Sequence, residues 1–191
     1  MSQTKTNDLT RAGGNTRLVT LGHGTLPIHA FLELLTGVHI EHVVDVRTIP
    51  KSLRNPQFQR EALQRSLPAA GLTYRWEPEL GGFRKPRADS NNVALRHRAF
   101  RGYADYMQTP QFWHAFDVLV AEAAAAATAI MCSESLWWRC HRRLIADAAV
   151  LTQGMDVQDL FHDGRLVAHR VTDGARVHGS VVVYDVVSEP T

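Results

Sequence analysis

The chain has 191 residues, of which 45% are hydrophobic and 21% are charged, the composition of an ordinary globular domain with a sizeable core. Its formal net charge is only +2, so the overall charge predicts no general attraction to nucleic acid or to a membrane surface. No run of residues approaches the ~18–20 apolar residues that a membrane-spanning helix requires, and no membrane partner is expected.

The N-terminal residues and the cysteines indicate a location. Residues 1–16 are polar and lack the apolar core of a signal peptide, so they are predicted to be a flexible lead-in. The chain has two cysteines, Cys132 and Cys140. Structural disulfides are rare in the cytosol, so both are expected to be reduced thiols in a cytoplasmic protein.

Strands and helices are predicted to alternate along the chain. Short apolar runs predict strands at 17–24, 39–50, 72–82, 128–134 and from 155 onwards. Apolar residues at spacings of three and four predict helices at 27–37, 56–67, 99–108, 110–127 and 138–152. The alternation predicts a three-layer, Rossmann-like α/β domain over 17–161, with an open, mainly parallel sheet and helices on both faces. Residues 162–191 are predicted to be a C-terminal extension, either an edge strand or a tail.

In such sheets ligands bind beyond the carboxyl ends of the strands. Near the carboxyl ends of these predicted segments, where each strand runs into a loop, lie residues that are polar or glycine: His23, Asp45, Arg47, Gly81, Gly82, Cys132 and Glu134. These residues predict a crevice at one edge of the sheet. Within it, Asp45 and Arg47 form either a structural ion pair or a functional pair, in which Arg47 holds an anion and Asp45 orients it or acts as a general base.

The exit of the fourth strand carries the strongest signal. Cys132 precedes a predicted helix whose start contains Arg139, Arg142 and Arg143. A helix N-terminus and guanidinium groups both bind anions, so this segment predicts an anion site. The alternative is that Glu134 or Asp147 pairs with the arginines on the surface.

Cys132 is the predicted nucleophile, because nearby arginines, His141 and a helix N-terminus would all lower the pKa of its thiol. Glu134 or His141 would move the proton. The alternative is a small buried apolar residue at a strand end. A metal site using Cys132, Cys140, His141 and His23 fits no known zinc spacing, so no metal or other cofactor is expected. A reversible Cys132–Cys140 disulfide remains open.

A second motif lies in the helix at 99–108. Arg101 and Asp105 are four residues apart, the spacing of a helical ion pair, but Arg101 is also a candidate anion ligand. Neither GxGxxG nor GxxxxGK[ST] occurs, which argues against dinucleotide binding and P-loop chemistry.

Five motifs together resemble the DUF488 family, a bacterial and archaeal family whose name stands for domain of unknown function. They are "TLGHG", "VVDVRTIPKS", "GLTYRWEPELGG", "FRGYADYM" and "MCSESLWWRCHRRLIAD", and the resemblance runs from about residue 18 to residue 161. It implies a single α/β domain with these motif positions at one end of the sheet: His23, Asp45, Arg47, Arg101, Cys132, Glu134, Cys140, His141 and Arg142. Ser133 stands where the family usually has alanine. The resemblance implies no established reaction.

The sequence as a whole favours a thiol-dependent hydrolase or transferase that acts on an anionic small molecule or nucleotide. The expected catalytic residues are Cys132, Glu134, His141, His23 and Asp45, and the expected substrate-binding residues are Arg47, Arg101, Cys140, Arg142 and Gly82. One alternative is a non-catalytic nucleotide or nucleic-acid binding module. Another is a metal- or redox-responsive structural protein that uses Cys132 and Cys140.

Overall fold

The computed structural model of the protein describes residues 17–185; the predicted lead-in and residues 186–191 lie outside the described residues. The strands are Arg17–Gly22 (β1), His42–Asp45 (β2), Thr73–Trp76 (β3), Thr128–Cys132 (β4), Asp156–Leu160 (β5), Leu166–Ala168 (β6), Ala175–His178 (β7) and Val181–Tyr184 (β8). The α-helices are Ile28–Gly37 (α1), Arg60–Ala69 (α2), Arg98–Tyr106 (α3), Pro110–Ala125 (α4) and Arg142–Gln153 (α5).

Six strands form the main sheet in the order β3-β2-β4-β1-β5-β6. The five strands from β3 to β5 pair in parallel, and β6 is antiparallel to β5 at the edge. This confirms the predicted mainly parallel, Rossmann-like sheet. The carboxyl ends of β2, β4 and β1 lie side by side in the middle of the sheet, which is where such folds bind ligands.

Helices cover both faces of the sheet, as predicted. On one face, α1 and α2 pack Phe31 and Leu63 against Val19 and Val43. On the other, α3, α4 and α5 contribute nearly half of a larger cluster that includes Leu18 and other strand residues. Neighbouring residues of β1 thus point to opposite faces, the alternation expected of a strand buried on both sides.

The C-terminal extension contributes to the main sheet and to the core on one of its faces. β6 forms the edge of the main sheet, and β7 and β8 form a separate antiparallel hairpin. Val182 and Tyr184 of β8 are fully buried in the core cluster of α3, α4 and α5. The predicted extension therefore contains an edge strand, one of the two alternatives, and also a hairpin that packs over α5.

Three strands are shorter than their apolar runs predicted. β2 ends at Asp45 rather than near residue 50, β3 ends at Trp76 rather than at 82, and β4 ends at Cys132. In each case the chain leaves the sheet where polar or glycine residues begin. In the part of the chain that the structure describes, no helix is long and apolar enough to cross a membrane.

Candidate functional site

A cavity of about 920 Å³ opens at the carboxyl ends of β1, β2 and β4; we call it the crevice. Its lining includes seven of the ten residues predicted for the site: His23, Arg47, Gly82, Cys132, Glu134, Cys140 and His141. The topology brings them together because β4 lies between β1 and β2. Asp45, Arg101 and Arg142 do not line it.

Cys132, Cys140 and His141 form a compact cluster on one wall of the crevice. One ligand atom from each, the two Sγ atoms and a ring nitrogen, all lie within 4.8 Å of one another. The His141 Nε2 atom is 3.0 Å from the Val46 carbonyl oxygen, and Nδ1 is 3.7 Å from Cys140 Sγ. A carbonyl can only accept, so Nε2 carries the hydrogen and the Nδ1 lone pair faces the thiol of Cys140.

Gly82 sets the position of the His141 ring. A Cβ atom at Gly82 would lie 3.0 Å from His141 Nδ1, closer than ordinary van der Waals contact. The glycine predicted for this site therefore acts through the space it leaves for the imidazole.

The two thiols differ in acidity. A hydrogen bond to Cys140, followed by burial, raises the pKa of Cys132 to about 12. Burial also raises the pKa of Cys140, but the Cys132 thiol and the charge, backbone N–H and side chain of Arg142 lower it to a net value of about 6. The expectation of a lowered pKa at Cys132 is thus wrong, because the thiol that lies against the start of α5 is Cys140.

Arg47 is fixed in one orientation beneath the crevice. Its Nε and NH2 groups donate to the two carboxylate oxygens of Asp45 at 2.8 and 2.5 Å, and Asp45 also accepts from the Tyr74 hydroxyl at 2.8 Å. Asp45 is fully buried, so the structure places it behind Arg47 and away from the crevice, contrary to its predicted place as a general base at the substrate. Arg47 lines the crevice, and one N–H on each of its NH1 and NH2 groups remains beyond the bonds to Asp45 and His23.

His23 supports the same guanidinium. Its Nδ1 lies 2.9 Å from the Gly24 carbonyl and therefore donates, and its Nε2 accepts from Arg47 NH1 at 3.2 Å. Burial, and then the charge of Arg47, lower the pKa of His23 to about 4, so the ring is neutral at pH 7. Its lone pair already accepts a hydrogen bond, which leaves it poorly suited to the proton transfer predicted for it.

Arg142 is buried, contrary to its prediction as an exposed anion ligand. Only 1% of it is exposed, and its guanidinium donates to the backbone carbonyls of Glu134 and Ser135. The start of α5 is buried on nearly all sides, because the helix lies between the main sheet and the β7–β8 hairpin.

Arg101 lies outside the crevice. Its guanidinium donates to the Leu95 carbonyl at 3.1 and 3.3 Å. The predicted alternative, an ion pair with Asp105, does not form either, because Asp105 accepts from the Arg87 backbone and from Ser90 and Asn92. Glu134 does line the crevice, and its carboxylate accepts from the Leu136 backbone N–H.

Sequence reasoning missed several lining residues: Thr48, Lys51, Ser52, Asn55 and Phe83, together with Arg139, which it named without assigning to the site. Thr48 donates to the Gly82 carbonyl, and 92% of Phe83 is exposed. The predicted strand at 39–50 included the segment after Arg47. The polar run beginning at Lys51 was the available signal that it instead forms a wall of the crevice.

The comparison with curated proteins and the comparison with solved structures find no match to this chain. A family model does match: residues 27–149 fit the model of the family described as domain of unknown function DUF488. That span contains the Asp45–Arg47 pair and the cluster of Cys132, Cys140 and His141. The match covers more than half of the chain and agrees with the resemblance of the motifs, and the chain therefore belongs to the DUF488 family.

Proposed function

We propose that the protein is a thiol-dependent hydrolase or transferase that acts on an anionic, nucleotide-like or phosphorylated substrate, with Cys140 rather than Cys132 as its nucleophile. The observation that carries the proposal is the position of Cys140 Sγ. It lines the crevice just before the start of α5 and lies 3.7 Å from His141 Nδ1, whose lone pair faces it, and Arg142 lowers the pKa of its thiol. A thiol, a base and a group that orients the base are the parts of an activated nucleophile.

Charge inside the crevice favours an anion. The lining includes Arg47, Lys51 and Arg139, against one carboxylate, that of Glu134. Arg47 is held by a buried carboxylate and a neutral histidine, so its free N–H groups need no rearrangement when an anion binds. A planar guanidinium is well suited to carboxylate or phosphate oxygens.

The proposed reaction has two steps. The Cys140 proton moves to His141 Nδ1, and the thiolate attacks the electrophilic centre of the substrate. An Sγ bond forms, the bond to the leaving group breaks, and the leaving group takes the electron pair and the proton from His141. Water in a hydrolase, or an acceptor in a transferase, then cleaves the enzyme–substrate bond and restores the thiol. Cys132 donates to the thiolate, a role that needs its own thiol to stay protonated. Both steps require reduced thiols, as in the cytoplasm that the sequence predicts.

A pair of alkylating reagents tests the proposal without knowledge of the substrate. Iodoacetate is anionic and iodoacetamide is neutral, and the rates at Cys140 can be followed by peptide mass spectrometry. The ratio of the iodoacetate rate to the iodoacetamide rate should exceed that of a free cysteine. It should fall in Arg139→Gln, which removes a crevice cation, and fall further in Arg47→Lys, which loses the planar fork.

Arg65→Gln is the matched control, because Arg65 is an exposed arginine of α2 that does not line the crevice. Its ratio should equal that of the unchanged protein. A ratio no higher than that of free cysteine, or an equal fall in Arg65→Gln, would contradict an anion site at the thiol.

A second candidate function, a metal-responsive protein, is favoured by one observation. Two thiol sulfurs and an imidazole nitrogen within 4.8 Å of one another are a donor set that suits zinc. The hydrogen bond from His141 Nε2 to Val46 is the support that metal-binding histidines commonly have. One equivalent of zinc in protein purified without chelator, bound so that both thiols resist alkylation until the metal is removed, would replace the nucleophile proposal with this one.

A further inference from the structure

A second cavity of about 450 Å³ lies beside the crevice; we call it the tryptophan pocket. Residues 94–97 and 170–173 supply its walls, together with Phe100, Trp137, Trp138 and Arg143. Phe100 lines both the tryptophan pocket and the crevice, so the two cavities adjoin. A ligand that binds in both cavities would therefore need more than one chemical unit and would pass Phe100.

The tryptophan pocket combines positive charge with aromatic rings. Its lining includes Arg96, Arg143 and Arg170 but only one carboxylate, Asp173, which is 3.2 Å from Arg170 on the exposed rim. Trp138 is 41% exposed. Alternating guanidinium and aromatic groups are typical of surfaces that bind single-stranded nucleic acid, where phosphates meet the cations and bases stack on the rings.

Arg143 lies between an aromatic ring and the segment that contains Trp138, where a guanidinium could meet a phosphate beside a stacked base. Its guanidinium carbon lies 4.7 Å from the centre of the Phe100 ring, and its NH1 donates to the Trp138 carbonyl at 2.9 Å. Among residues 17–185, its buried Nε atom has no hydrogen-bond partner. The side chain thus lies in the tryptophan pocket against Phe100, the residue that the two cavities share, and the N–H groups at its tip that do not bond to Trp138 are the donors it offers to an anion.

We infer that the tryptophan pocket binds the adjacent nucleotide of a single-stranded nucleic acid whose reacting nucleotide lies in the crevice. The inference rests on the proposed function only in that the crevice must hold an anionic unit. One base stacks on Trp138, and the phosphate between the two nucleotides lies against Arg143. Membrane binding would place apolar side chains on a protruding surface, whereas these rings line a concave pocket.

Binding of short single-stranded DNA tests the inference. The affinities of a fluorescein-labelled mononucleotide, dinucleotide and trinucleotide would be measured by fluorescence anisotropy at several salt concentrations. The dinucleotide should bind about tenfold more tightly than the mononucleotide, since it adds one stacked base and one phosphate. Trp138→Ala should abolish this gain, and Trp138→Phe, which keeps a ring, should retain most of it.

Arg143→Gln should weaken dinucleotide binding and flatten its dependence on salt, because one phosphate contact is lost. Arg65→Gln on α2, which lines neither cavity, should change neither. Equal affinity for the mononucleotide and the dinucleotide, or a gain that survives in Trp138→Ala, would overturn the inference. So would tight binding to anionic lipid vesicles that depends on Trp138 while DNA does not bind.

The two proposals fail separately. Binding is measured without any reaction, so an unreactive Cys140 together with a Trp138-dependent gain would leave a nucleic-acid binding module. A reactive Cys140 without the gain would leave the enzyme and remove the second subsite.

Discussion

His141 and His169 have the same side chain, but their surroundings give them different roles. His141 uses one ring nitrogen to hold its place and keeps the other free beside a thiol in an open crevice. His169 lies between two buried carboxylates, with Nε2 3.1 Å from Asp147 and Nδ1 3.0 Å from Asp159. Both nitrogens of His169 are occupied, so it can transfer no proton without breaking the core. His141, with one ring nitrogen free, can therefore accept a proton, whereas His169, with both ring nitrogens bonded, holds the core together.

The two regions are nevertheless joined by a chain of hydrogen bonds. Thr20 Oγ1 donates to Asp159 at 2.6 Å and accepts from Arg142 Nε, and Arg142 in turn donates to the loop at Glu134. Asp147 also accepts from the Tyr184 hydroxyl of the C-terminal hairpin. The buried network therefore anchors both the hairpin and the arginine that lies behind Cys140.

The largest effect is expected from His169→Gln, which removes the structural histidine. Loss of the imidazolium leaves two buried carboxylates without their counter-charge, which should cost about 3–5 kcal/mol of unfolding free energy. Urea denaturation measures it. His114→Gln, at an exposed position of α4, is the control and should change stability little. A loss below about 1 kcal/mol in His169→Gln would mean that the ring contributes no charge.

The pH dependence of that loss is the next largest effect. Burial lowers the pKa of His169, but the hydrogen bonds that it donates to Asp147 and Asp159 raise it to a net value of about 9 from an ordinary 6.5. A raised pKa stabilises the fold fully below about 6.5, and the stabilisation is lost as the pH rises through about 9. The cost of His169→Gln should therefore shrink by about 3 kcal/mol across this range.

The measurement is the difference between the unchanged protein and His169→Gln at each pH. The pH dependence of one protein's unfolding free energy does not isolate His169, because the lowered pKa of Cys140 makes stability rise with pH between about 6 and 9. The difference removes this opposing contribution. A cost that stays constant across the range would contradict a protonated His169.

The smallest effect on stability is expected from Gly82→Ala, which changes the surroundings of His141 in the crevice. The added methyl group would displace the His141 ring from its position beside Cys140. Alkylation of Cys140 near neutral pH should slow severalfold while the melting temperature stays nearly constant. Gly37→Ala, where nothing lies within 4 Å of the added Cβ, is the matched control. Unchanged Cys140 reactivity in Gly82→Ala would show that the reactivity of this thiol does not depend on the position of the His141 ring.

Much of the fold was predictable because strands buried on both faces leave continuous apolar runs, as β1 and β4 do. The crevice followed from the polar residues after those strands, and seven of the ten predicted site residues line it. The sequence could not rank the two thiols. Their acidity depends on which one lies against the start of α5, and the 3-10 helix at Trp137–Arg139 that decides this has no clear sequence signal.

His169 was not singled out at all, because its two aspartates lie 10 and 22 residues away along the chain and meet it only in the folded protein. Nothing in the local pattern of its own segment distinguishes it from a solvated histidine. Long-range polar networks of this kind are set by tertiary packing, which periodicity does not report.

The central claim is that Cys140 is the activated thiol and Cys132 is its protonated neighbour. The most direct test is the rate of iodoacetamide modification at each cysteine as a function of pH, read by peptide mass spectrometry in the native protein. We expect Cys140 to titrate with a pKa of about 6 and Cys132 to stay unreactive through neutral pH, since its pKa is about 12. A low-pKa titration at Cys132, or ordinary titration at both thiols, would contradict the account.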